Sequence, residues 1–109
     1  MSMQRCIDAC TTCRDDCRKC ASEASMMGGM DDCVAECKAC EKSCQLCIEA
    51  IWNDSTRLCG ACAETCLDCA AVCKKYDDDH CRVCAASCER CASECAAMAG
   101  IPIGNAELI

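Results

Sequence analysis

Cysteine, the most regular apolar residue in this chain, recurs at steps of three and four between stretches of charged and small residues. The first group is Cys6, Cys10, Cys13, Cys17 and Cys20. The second is Cys33, Cys37, Cys40, Cys44 and Cys47. The third is Cys59, Cys62, Cys66, Cys69 and Cys73, and the fourth is Cys81, Cys84, Cys88, Cys91 and Cys95. Such steps put each group on one stripe of an α-helix, whereas a strand would need steps of two. The four groups form an internal repeat. The intervening Ala, Glu, Lys, Arg and Asp suit helices or a solvent face. The pattern predicts helices over about 3–26, 31–52, 54–76 and 78–98.

The breaks fit this reading. Gly28 and Gly29 end the first helix, and Asp31 or Asp32 starts the second. Asn53, Asp54 and Ser55 offer an N-cap to the third. Asp77, Asp78 and Asp79 lead into the fourth as a cap and helix-dipole feature, and Gly100 and Pro102 stop it. Short connections make sequential helices antiparallel neighbours. The predicted fold is all-α, an up-down-up-down four-helix bundle over residues 1–99 with a cysteine-lined core, followed by a tail over 100–109.

Composition changes what such a core can be. Of 109 residues, 20 are Cys and 17 Ala, while Ile, Leu and Val together number 13 and Phe is absent. An ordinary core of large aliphatic and aromatic side chains is excluded. The net charge of −7 argues against nucleic acid and anionic membranes as partners. No apolar run approaches a membrane span. The stretch from Met1 to Cys6 has no apolar signal core, so a cytoplasmic location is expected. In a reducing compartment this many cysteines point to metal rather than to disulfides.

The spacing agrees. Neighbours on a helical stripe have Cβ atoms about 5–6 Å apart, and a disulfide wants about 3.5–4.5 Å. A metal held linearly between two sulfurs wants them roughly 4.6 Å apart if Zn–S is the guide. All-thiolate sites select Cu(I), Zn(II) or iron–sulfur clusters. Zinc with four thiolates leaves negative charge at every site, which is costly when repeated in a narrow bundle. Cu(I) with bridging thiolate is neutral, because each ion replaces a proton. The ferredoxin-type cysteine runs are absent. Two thiolates per ion gives about ten ions, and full bridging approaches about twenty. The expected cargo is therefore multiple Cu(I) ions in a store. A zinc or general soft-metal buffer and a thiol redox reservoir are the alternatives. No nucleophile–base constellation is visible, so no enzyme is expected.

The topology places Met26, Met27, Met30 and His80 at one end of the bundle, a mouth for metal built from thioether and imidazole ligands. The plainer reading is that the methionines cover that end and His80 flanks a helix start. The opposite end gathers Trp52, Ile51, Leu58, Met98 and the tail from Ile101 to Ile109 as an apolar plug, with Trp52 a plug or an oligomer contact.

The repeated C-x₃-C-x₂-C stripes and the stretch Asp78-Asp79-His80-Cys81-Arg82 resemble the bacterial four-helix-bundle copper storage proteins, over about residues 3 to 98. The resemblance is to their cytosolic branch. It implies Cu(I) along the lumen, a homotetramer of bundles, and His and Met near an open mouth. It carries the ligand role onto all twenty cysteines and onto His80. A copper chaperone or efflux system is the kind of partner such a store would have. The methionines at 26, 27 and 30 and the tail match no family signature.

Overall fold

Four helices follow from the four stripes in a computed structural model that describes residues 3–100. They are α1 (Met3–Met27), α2 (Asp31–Trp52), α3 (Cys59–Cys73) and α4 (Asp79–Ala99). Each packs on its two sequence-ring neighbours, α1 on α2 and α4, α3 on α2 and α4. The lumen lies between the diagonal pairs. Ala9, Ala21, Ala63, Ala70, Ala85, Ala92 and Ala96 are buried beside the cysteines. Their small side chains let the helix backbones approach closely around a core of sulfur.

Helix α3 is shorter than its pattern predicts, and the cause lies at the end of α2. Asp54 sits at φ 61°. The amides of Asn53 and Ser55 both return to the Ala50 carbonyl, at 3.0 and 2.9 Å. Residues expected to cap α3 thus close α2 in a left-handed turn, which Asp tolerates. Leu58 is the residue before α3 and makes no side-chain cap. At the far end, Lys75 N–H donates to Val72 and Tyr76 N–H to Cys73, both at 3.1 Å. These three-residue steps tighten the helix before the chain turns.

Asp78 precedes α4 in an extended conformation, and Asp31, Asp32 and Asp79 stand in first turns without any N-cap side-chain bond from Met30 or Asp78. These acids act through charge at the positive helix ends. Asp32 does more. It accepts from Cys33 N–H at 2.8 Å, from the Tyr76 hydroxyl at 2.6 Å and from Lys75 Nζ at 2.6 Å. It thereby ties the α3–α4 connection to the start of α2. Lys75, then Tyr76, hold its carboxyl at about 2, below the ordinary 3.8, and Asp32 pushes the Tyr76 hydroxyl up to about 12. A depressed carboxyl stabilises the fold above its ordinary pKa and loses that contribution as pH falls through its folded value. Tyr76→Phe is therefore expected to lower the metal-free melting temperature by a few degrees at neutral pH. The gap from wild type should close between pH 4 and pH 2; a gap constant over that window would exclude the Asp32 pairing as its cause.

The expected plug needs correction. Trp52 is 68% exposed, whereas Ile48 and Ile51 are each 1% exposed. Ile51 continues the α2 stripe one step beyond Cys47, and Trp52 lies about 100° further round the helix. Met98 packs on the core from α4. The tail from Ile101 to Ile109 lies outside the described residues.

Candidate metal centre

The twenty cysteines all have zero exposure and all are free thiols. Their sulfurs touch one another along the whole lumen. The shortest contacts are between helices: Cys10 to Cys91, Cys10 to Cys95 and Cys40 to Cys66, each 3.5 Å. Contacts within a stripe are longer, as for Cys13–Cys17 at 3.9 Å and Cys33–Cys37 at 4.0 Å. Stripe spacing alone could not show this, because the facing helices bring the closest partners. Diagonal helices meet through sulfur too, with Cys13–Cys66 at 3.9 Å and Cys37–Cys84 at 3.7 Å.

Sulfur quartets with all members within 4.8 Å of one another recur along the axis. They include Cys6, Cys10, Cys47 and Cys95; then Cys10, Cys62, Cys91 and Cys95; then Cys13, Cys44, Cys66 and Cys91; then Cys13, Cys17, Cys40 and Cys88; then Cys17, Cys69, Cys84 and Cys88. Successive quartets share members, so a thiolate in one can bridge to the next. With metal–sulfur bonds of about 2.3 Å, three sulfurs around one ion sit about 4.0 Å apart, and two in a line about 4.6 Å. The observed spacings accommodate three-coordinate ions with little movement. Two-coordinate ions need the lumen to widen slightly.

Burial is the first cause of the raised thiols at Cys33, Cys59 and Cys81. Burial pushes Cys59 up to about 11. Burial, followed by the neighbouring Cys20 thiol, raises Cys33, and burial with Cys20 and Cys33 raises Cys81. Thiol neighbours Cys37, Cys73 and Cys84, and after them His80, lower Cys20 against burial. Metal that binds the raised thiols must displace a proton from each.

At the mouth, His80 Nδ1 lies 3.3 Å from Cys20 Sγ and 3.5 Å from Cys81 Sγ. Its Nε2 lies 3.4 Å from Met27 Sδ. Cys20, Cys33 and Cys81 form a triangle, with Cys20–Cys33 at 3.7 Å, Cys20–Cys81 at 3.9 Å and Cys33–Cys81 at 4.0 Å. Met30 is 4% exposed at the start of α2, and Met26 is 79% exposed. The fold thus brings Met27 to His80, buries Met30 in the core and turns Met26 to solvent. Tyr76 packs on the core at the same end. Extending the stripes by one further step reaches it from Cys73, as it reaches Met30 from Cys33.

The family model for copper storage proteins matches residues 1–100. The chain belongs to that family. Among solved structures, copper storage protein 3 of Bacillus subtilis in its apo form is 33% identical, with a TM-score of 0.84, over 90% of this chain and 99% of that one. A Cu(I)-bound copper storage protein is 34% identical, with a TM-score of 0.82, over 88% of this chain and 96% of that one. Among curated proteins no sequence match is found. As a copper storage protein, the chain places its cysteines inward on all four helices, and no helix of the described residues is long and apolar enough to cross a membrane.

Proposed function

We infer that this chain stores Cu(I), holding many ions at once on the twenty lumen thiolates. The observation that carries this is the run of buried sulfur quartets with shared members, which supplies bridging ligands without an open catalytic position. Thiolate is the soft ligand that favours Cu(I), and a one-to-one cluster of Cu(I) and thiolate adds almost no charge to the lumen. Sequestration there keeps Cu(I) from redox chemistry in solution. The role is storage rather than catalysis.

His80 and Met27 form the rim through which copper passes, with Cys20, Cys33 and Cys81 as the first thiols behind them. Met30 packs and Met26 has no ligand role. Residues 1–99 act as one storage unit, with the tail outside it. Family membership supports a cytosolic homotetramer that exchanges copper with a chaperone or efflux system, and the charge of −7 supports partners other than nucleic acid or membrane.

The quartets are also wide enough for tetrahedral zinc, so the test sets the two ions in competition. Reduced protein is titrated anaerobically with Cu(I) against a calibrated chelator, with native mass spectrometry to count ions and excess Zn(II) in a second arm. Saturation at ten or more Cu(I) per chain, undiminished by zinc, is the expected result. Saturation at two or fewer, or displacement by zinc, would remove the storage reading. Loading should also release protons to an unbuffered solution.

A further inference from the structure

The ring of His80 stands between two different environments. On the inner side Nδ1 touches Cys20 and Cys81. On the outer side Nε2 meets Met27, whose side chain is exposed. A cavity of about 230 Å³, lined by Asp16, Lys19, Glu23, Asp79, His80 and Val83, opens onto this ring between α1 and α4. The imidazole is half-buried, whereas every thiol behind it has zero exposure. A copper ion from solvent therefore meets the imidazole and the Met27 thioether before it meets a thiol. Imidazole binds copper in either oxidation state, while an all-thiolate lumen suits Cu(I) alone. The sulfurs next to the ring are also a set of reductants in contact: Cys20 touches both Cys33 and Cys81, and the three lie on different helices.

We propose that the mouth reduces cupric ions, so that each chain can take in its first two copper ions as Cu(II). Two cupric ions arrive at His80 in turn and each takes one electron from the mouth thiols. Two S–H bonds break, and both protons leave to water. One S–S bond forms, joining Cys20 to Cys33 or to Cys81. The products are two cuprous ions, one disulfide and two protons, so charge and electrons balance. The remaining thiols of the lumen then take up the Cu(I). This inference rests on the storage reading for the final home of the ion, but its chemistry is confined to the mouth.

The test uses fully reduced, metal-free protein under anaerobic conditions with two equivalents of a Cu(II) salt. Electron paramagnetic resonance follows the cupric ion. Thiols are trapped with a maleimide in acidic denaturant, and the disulfide is mapped by mass spectrometry. The expected result is loss of the cupric signal, with one disulfide per chain joining Cys20 to Cys33 or Cys81. His80→Gln, checked for unchanged helical dichroism, should slow the loss at least about tenfold. A cupric signal that persists in protein able to fill with Cu(I) would overturn the proposal. So would disulfides scattered through the lumen, or formed at the distant Cys47–Cys59 contact of 3.6 Å. Failure to take up Cu(I) added directly would overturn the storage reading and this one with it.

Discussion

Filling the reduced chain with Cu(I) is expected to raise its melting temperature by at least about 20 °C, while the helical circular dichroism stays almost constant. Two features of the structure lead there. The helix-favouring sequence and the alanines buried between the helices suit a bundle that folds before copper arrives, so binding is not expected to build it. The metal-free core, however, is thin in hydrophobic area: its largest fully buried side chains are Ile48 and Ile51, and cysteine and alanine supply the rest. Each ion that binds only the folded state adds stability by mass action, about 4 kcal/mol for one site at a thousandfold excess over its dissociation constant. In a domain of this size 1 kcal/mol corresponds to about 4–8 °C, so even one tight site is felt strongly. A shift below about 5 °C would show that copper sits outside the lumen. Random-coil dichroism in the reduced apo protein would instead mean that metal binding and folding are coupled.

The second large effect is kinetic. Replacing His80 and Met27 together by alanine is expected to slow copper removal by an external chelator at least about tenfold, or ~1.4 kcal/mol in barrier, with capacity unchanged. The lumen thiols are fully buried, and the His80–Met27 pair is the soft-ligand step between them and solvent. Without it, an ion must leave Cys20 and Cys81 for water directly. Met26→Ala serves as the control, since its side chain is 79% exposed. Equal removal rates in wild type and the double variant would sink the gating role. A loss of capacity would mean that His80 is a storage ligand instead.

Some of this was legible from spacing. The 3-4 steps assigned the helices and their inward faces, because a helix repeats every 3.6 residues and a stripe must follow that period. Carried one step further, they also mark Ile51, Met30 and Tyr76 as end pieces. They do not mark Trp52, which its place at the bundle end and its large apolar ring suggested as a plug or an oligomer contact. The length of α3 was hidden because Asp54 and Ser55 are equally good at starting a helix and at closing one, and only the turn at φ 61° decides between these uses. The Asp32–Tyr76–Lys75 tie was hidden because its partners are more than forty residues apart.

The metal chemistry divides along the same line. Twenty cysteines on four stripes, too few large apolar residues for an ordinary core, and an acidic balance already imply a thiolate-lined bundle for soft metal, since these follow from residue type and local period. Tertiary packing chose which sulfurs pair. The closest contacts join different helices, at 3.5 Å, because facing stripes interdigitate more tightly than residues one turn apart on a rigid helix can approach. It also separated the methionines, aiming Met27 at His80, burying Met30 and leaving Met26 in solvent, since direction around a helix and the position of its end are set only when neighbouring helices close on it.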